Sequence, residues 1–558
     1  MENQRQFLVM GLMAICMVLY FKWVDFTAPQ IDEQATVQNI VDHDTTVPSN
    51  GFNGDVSDIP STPGATNIPA STTAPQKQDY ITVTTDLTIV KINTFGGVIE
   101  SLELLDEPVS LDEPNVGFAL LKKNNEETFI SEDGLLAIDS TAPNHTQTQY
   151  SSSIKNYNLG DAEKISVPLT WTSNEGIEYV KTIHFSRDSY VIDIDYQVNN
   201  RTEKPWSGFL YGQFSRSKPK VSGGFFSSFG RLPSHVGPAI YDDENGYDKI
   251  SFGDIEDGSL ALKTNEGWVA MLQHYFVGAW IPAAGEEKEF YTGVTSNKNY
   301  RVGYKTTTPV TIAPNQTGKL SAKVYIGSKQ QSRLKAIQKE SNVKGLALTV
   351  DYGFLTFIAD PLFVVLSFIN DIVGNWGWAI IILTLLIKVL FYPLSAKGFK
   401  SMAKMRKFSP RLKTLKERYK DDRQKYQMEM MALYKKEKIN PVGGCLPILI
   451  QMPVFLALYW VLLESVEMRH APFALWLQDL SAPDPWLVLP VLMGASMWLQ
   501  QKMNPAPMDE IQQKVMMIMP IALVIIFINF PQGLVLYWTV NNLLTIAQQW
   551  LIYRQFDE

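Results

Sequence analysis

Lys388 is the residue of this chain with the clearest capacity to act on something. It stands inside residues 376–394, WGWAIIILTLLIKVLFYPL, an apolar run of the length (~20 residues) that crosses a bilayer as helix. At ~1.5 Å of rise per residue it lies ~18 Å from Trp376 and ~13 Å from the next lysine, Lys397. A charge at that depth costs about 2.5–3.5 kcal/mol on insertion scales, so it faces protein or water unless its stem snorkels to the headgroups. A lysine facing a hydrated cavity between helices accounts for the position better than snorkelling does. Thr384, one turn earlier on the same helix face, would share that cavity. Its other walls would come from polar residues of later apolar runs: Gln451, Asn529, Tyr537, Trp538, Asn541 and Asn542. For each of these the plain alternative is a helix–helix hydrogen bond or an interface-belt aromatic. No acidic residue stands at a central depth, so a proton or ion relay lacks its usual partner. The cation is better matched to an acidic group that comes and goes.

Six apolar segments must position these residues. The first, residues 7–21, follows a polar lead with Arg5 and is followed by Lys22-Trp23-Val24-Asp25, with no small-x-small cleavage site. It reads as an uncleaved anchor occupying residues 1–24. The others are 376–396, 446–464, 486–503, 515–530 and 533–553. Residues 354–373, in the segment 346–375, are interrupted by Asp360-Pro361 and carry Asn370 and Asp371, which suits an amphipathic helix on the outer interface. The loop 397–445 holds 15 Lys and Arg against 5 Asp and Glu, while the loop 465–485 holds one base, Arg469, and three acids. Because Lys and Arg stay on the cytoplasmic side, the first loop is inside and the second outside. Six spans with both ends in the cytoplasm satisfy that rule.

The chain has 558 residues and a net charge of −8, but the charge is unevenly spread. Residues 23–350 hold 27 Lys and Arg against 40 Asp and Glu, the mark of an acidic soluble region outside the membrane. Residues 25–78 are rich in Thr, Pro, Asn, Ser and Asp and read as a flexible linker. Residues 79–345 show short β-type runs with one wet face (80–84, 87–93, 165–171, 190–198, 268–276), which predict a large antiparallel sandwich. A helical stretch over about 328–344 leads toward the membrane. His145, His184, His235 and His274 show no metal-ligand spacing, and no cofactor is implied. The two cysteines, Cys16 and Cys445, fall in or beside apolar segments and give the sandwich no disulfide framework.

Residues 397–440 have helical order under their charge. Met402, Met405, Phe408, Leu412, Leu415 and Tyr419, then Tyr426, Met430 and Leu433, recur at steps of three and four. That predicts a helical hairpin with an apolar seam and a basic exterior carrying Lys404, Arg406, Lys407, Arg411 and Lys413. Ser409-Pro410 would either restart the first helix or kink it. Anionic headgroups, ribosomal RNA or an acidic protein surface would suit such an exterior; DNA is not indicated. An ordinary orientation signal is the simpler reading, but the loop is far longer than orientation requires.

Several stretches resemble the YidC membrane protein insertases of the YidC/Oxa/Alb family: Lys388 with Tyr392-Pro393-Leu394, SMAKMRKFSPRLK, MMALYKKEKINPVGGCLPILIQMPVFLALYW, APFALW and FPQGLVLYWTVNN. The likeness covers residues 350–558, and the anchor plus large outer domain resembles the Gram-negative members. The resemblance implies a multidomain membrane protein with six spans, N-in/C-in, and a periplasmic β-supersandwich. It implies inner-membrane localisation, partnership with the Sec translocon and non-enzymatic insertion and folding of nascent membrane proteins. It also implies a hydrophilic groove, open to cytoplasm and lipid, whose cation attracts acidic residues of the substrate tail. Lys388 takes the cation position, with Thr384, Gln451, Tyr537, Trp538 and Asn541 near it, and Met452, Pro453 and Phe455 on the substrate-guiding span. The basic hairpin matches the region that meets ribosome and targeting receptor.

Two departures stand out. The familiar Gram-negative residue at the cation position is arginine; lysine keeps the charge but loses the bidentate fork. The chain also closes on YRQFDE without a basic run, which assigns ribosome docking to residues 397–438. A polytopic secondary transporter and a membrane-anchored carbohydrate-binding protein are the alternatives, although no internal repeat supports the first.

Overall fold

Period-two patterning in the acidic region produces two sheets that bury facing sides. The computed structural model describes residues 58–61, 79–219, 234–295, 297–420, 422–437, 446–504 and 510–557. The anchor at 1–24, most of the linker at 25–78, both cysteines and the Lys413 side chain lie outside the described residues. Among the described residues the first sheet has eleven strands. Ten of them run in the order Ala261–Thr264, Lys288–Val294, Tyr300–Thr306, Trp206–Arg216, Thr128–Ile138, Gly117–Lys123, Val98–Pro108, Thr88–Asn93, Tyr80–Thr84, Asn156–Asn158. Val310–Ile312 also pairs with Trp206–Arg216. The second sheet has eight, ordered Gly246–Lys249, Gly237–Asp242, Trp268–Leu272, Phe276–Ile281, Gln316–Ser328, Val191–Asn200, Glu178–Ser186, Lys164–Thr172. The ladders are antiparallel except that Tyr80–Thr84 runs parallel to Asn156–Asn158. The single run expected at 268–276 is a hairpin, turning between Leu272 and Phe276.

Along Glu178–Ser186 every second residue is buried, Tyr179, Lys181, Ile183 and Phe185, as a sheet with one wet face requires. Trp206 and Trp280 fill the space between the sheets, meeting Tyr179 and Phe214 across it, whereas Trp268 is buried on the other face of the second sheet, where its indole donates to the Lys344 carbonyl at 2.9 Å. Gly212 makes that packing possible, since a Cβ there would meet the Trp280 ring at 2.7 Å. Lys181 is buried but not stranded: its ammonium donates to Asp133 at 2.8 Å and to the Gly97 carbonyl at 2.8 Å. Two short helices accompany the sheets, α1 (Phe252–Asp257) and α2 (Gln331–Glu340).

The helical region comprises α3 (Thr356–Val373), α4 (Trp376–Leu390), α5 (Tyr392–Arg418), α6 (Arg423–Lys436), α7 (Leu446–Glu464), α8 (Val488–Met503), α9 (Glu510–Phe527) and α10 (Gln532–Asp557). By length and composition Gly353–Val373 could by itself cross a membrane, and α4 joined to the first part of α5 would make a second such element bent by 68°. The expected continuous span over 376–396 is therefore broken after Leu390. Pro393 gives the reason: it has no N–H for the Val389 carbonyl four residues back and its ring crowds that carbonyl, yet it fits the first turn of a new helix. Pro410, in contrast, lies inside a continuous α5.

Sandwich and helices share one apolar core that runs from the sheets through Val350, Tyr352 and Leu355 to Ala359, Leu366, Ile380 and Leu462. Charged groups lock the junction. Glu464, at the end of α7, accepts from Ser234 Oγ at 3.2 Å and lies 3.9 Å from the buried Lys329 ammonium. Arg469 donates to Glu107 at 2.9 Å and to the Pro108 carbonyl at 2.6 Å, its guanidinium lying beside the stacked rings of Phe118 and Phe276.

Candidate functional site

Lys388 occupies the last turn of α4, where unpaired carbonyl groups favour a cation. Its Nζ donates to Thr545 Oγ1 of α10 at 2.8 Å and to Gln451 Oε1 of α7 at 3.3 Å. Gln451 in turn donates from Nε2 to Asn541 Oδ1 at 2.5 Å, and Thr545 Oγ1 donates to the Asn541 carbonyl at 2.6 Å. Three helices thus meet through side-chain dipoles around one ammonium. Among the described residues no carboxylate forms an ion pair with it. Tyr537 is buried beside Gln451 without completing a hydrogen bond. Gln548, one turn beyond Thr545, is buried with both amide atoms unpartnered among the described residues.

Aromatic rings of α7, α9 and α10 pack together one turn beyond Gln451. Phe455 lies against Tyr537 (centroids 5.9 Å apart) and edge-on to Trp538 (4.5 Å), and Trp538 also meets Phe527 at 4.9 Å. Of the expected residues, the structure joins Lys388, Gln451 and Asn541 directly. Thr384 is buried on the same helix but its hydroxyl turns back to the Ile380 carbonyl at 2.6 Å, so it does not reach the ammonium. Phe455 faces inward onto Tyr537 and Trp538, whereas Met452 and Pro453 are exposed on the outer side of α7. Thr545 escaped the sequence reading, although its position four residues after Asn541 puts it on the same helix face.

Two family models match the chain: the YidC periplasmic domain over residues 80–365 and the 60Kd inner membrane protein over residues 368–558. The membrane protein insertase YidC of Nitrosococcus oceani is 47% identical over 482 residues, covering 86% of this chain and 86% of the relative. That of Pseudomonas fluorescens is 44% identical over 561 residues, covering 100% of this chain and 99% of the relative. The chain belongs to the YidC family of membrane protein insertases. Among solved structures, an active YidC insertase crystal structure with the first transmembrane domain resolved is 17% identical, covers 85% of this chain and 92% of that one, and has a TM-score of 0.37. Every residue of the Lys388 network falls within the stretch matched by the 60Kd inner membrane protein model.

The basic hairpin of this YidC-family chain packs as its pattern requires. Leu412, Met430 and Tyr434 are buried against Met405, Phe408, Leu415, Tyr426 and Leu433. Met402 departs from the expected seam and packs instead with Phe399, Ala403, Ile552 and Tyr553, tying the hairpin base to the end of α10. Asp422 caps α6, accepting from the Lys425 N–H at 3.0 Å. Lys404, Arg406, Lys407 and Arg411 are exposed, and the Arg406 guanidinium lies over the Tyr553 ring.

Proposed function

We propose that this chain inserts and helps fold inner-membrane proteins through a hydrated groove centred on Lys388. The observation that carries the reading is the ammonium held by neutral acceptors of two other helices, without a carboxylate partner among the described residues. Such a cation is available to an acidic residue in the extracytoplasmic tail of a substrate. Water and one charge partway across lower the cost of passing polar groups through hydrocarbon. Met452 and Pro453, exposed on α7, and the apolar outer face of α9 (Ile518, Ile521, Ile525) then guide the apolar segment. The work is non-enzymatic.

The proposed arrangement has six spans with both ends in the cytoplasm, the sandwich in the periplasm and α3 on the outer interface. The course of the loop after α7 supports it. That loop meets the sandwich through Arg469, and only three to four residues later its Pro472 and Phe473 carbonyls accept from Asn375, at the far end of α3. Four residues reach at most ~14 Å, less than half of a ~30 Å hydrocarbon core, so both ends of α3 belong on one side. The exposed hairpin bases are the surface proposed for the ribosome and targeting receptor, and the Sec translocon is the proposed lateral partner.

Crosslinking from positions 388 and 452 to a nascent membrane protein tests the groove. Crosslinks during insertion that vanish once the substrate is released are expected; their absence would refute it. Removal of residues 80–320 should leave much of the insertion activity, whereas a carbohydrate-binding function would be lost.

A further inference from the structure

The outer face of the first sheet carries a small, occupied groove unconnected with Lys388. Its floor is polar and its groups are fixed by one another. Gln213, fully buried, accepts from the Tyr291 hydroxyl at 2.9 Å and donates to Glu132 at 2.7 Å. The Tyr211 hydroxyl meets His145 Nδ1 at 2.7 Å, and Lys305 pairs with Glu289 at 3.0 Å. Gly303 opposite Gln213 leaves room for this, because a Cβ there would meet the Tyr291 hydroxyl at 2.7 Å.

The occupant is residues 58–61 of the chain itself, Asp-Ile-Pro-Ser, from the stretch expected to be a flexible linker. Gln213 Nε2 donates to the Asp58 carbonyl at 3.2 Å, and the Lys305 ammonium donates to the Ser61 carbonyl. Ile59 packs with Leu136, Phe209, Tyr211 and Ile138, and Pro60 is buried. Two main-chain carbonyls and one apolar pocket form a recognition pattern for peptide, and donors already oriented by Glu132, Tyr291 and Glu289 lower the ordering cost of binding. The pattern recurs in the linker nine residues on, as Asn67-Ile68-Pro69-Ala70.

We infer that this groove is a peptide-binding site for a polar–Ile–Pro–small segment, filled in cis by residues 58–61 and open in trans to a peptide of the same pattern. Without an occupant, the second Gln213 N–H and the Lys305 ammonium would each lose a carbonyl acceptor.

The test uses the full chain in detergent and a fluorescent peptide spanning residues 54–65, GDVSDIPSTPGA, read by anisotropy. The double variant Ile59→Asp/Ile68→Asp, which disables both linker copies, should bind the peptide at least tenfold more tightly than the unaltered chain. Adding Gln213→Leu, or the milder Lys305→Met, should remove at least tenfold of that gain, and a peptide with Asp in place of its Ile should not bind. No saturable binding to the double variant would overturn the inference. So would equal binding by the double variant and the unaltered chain, or equal binding of the two peptides.

Discussion

Lys388 is held as an ammonium donor rather than as half of an ion pair, and this sets what its loss should do. In Lys388→Ala the groove keeps its amides and hydroxyls but no longer attracts an acidic tail. An attraction worth ~1.4 kcal/mol corresponds to about a tenfold rate. Insertion of substrates with acidic tails is expected to fall by about that factor, with neutral tails within about twofold, as read by protease protection of the tail. Equal loss for both classes would refute the electrostatic role. Lys388→Arg should be tolerated. Thr545→Val removes one neutral acceptor from the ammonium, typically worth ~1 kcal/mol, so about a fivefold loss is expected on acidic tails. This second variant separates the charge from its support, because the charge itself remains.

At the scale of elements, the loop after α7 holds a titratable contact. Glu467 accepts from the Gln331 N–H at 3.2 Å, while its second carboxylate oxygen is buried without a partner. Burial raises its pKa from 4.5 to about 7, with the nearby Glu107 pushing the same way and Lys335 opposing. The folded form therefore holds a proton that the unfolded chain releases above 4.5, so the stability it confers is complete at low pH and lost as pH rises through about 7. Thermal unfolding is expected at a lower temperature at pH 8 than at pH 6, and Glu467→Gln should flatten that dependence. In the hairpin, Leu412→Ala opens the buried seam at a cost of ~2–4 kcal/mol. Amide exchange should speed up in α5 and α6 while the Lys388 helices keep their protection.

Across the whole molecule, the junction makes the sandwich and the helices a single mechanical unit. Lys329 donates to the Thr349 carbonyl at 3.0 Å and faces Glu464, and both charged side chains are almost fully buried. Removing one partner of such a pair typically costs ~3–5 kcal/mol, since the other charge stays desolvated. Lys329→Met should lower the melting temperature of the full chain clearly, and adding Glu464→Gln should restore most of it. If the double variant melted no higher than the single one, the pair would not be what joins the two parts.

How much could be read in advance differs between the parts. Strand alternation and the helical steps of the hairpin are periodic features, and they announced sandwich and hairpin, because local patterning follows the backbone repeat. The break after Leu390 was signalled by Pro393 but hidden by the uninterrupted apolar run around it. The partners of Lys388 were only partly legible. Gln451 and Asn541 stood out as amides in apolar segments, whereas Thr545 resembles any helical threonine until α10 is laid beside α4. Docking of residues 58–61 was invisible, since a four-residue contact has no period and depends on groups between 132 and 305 that only folding brings together. The sequence alone thus determined which segments are apolar, charged or alternating. The tertiary structure alone decided which polar groups face one another, because hydrogen bonds between distant segments depend on helix rotation and strand register, and composition records neither.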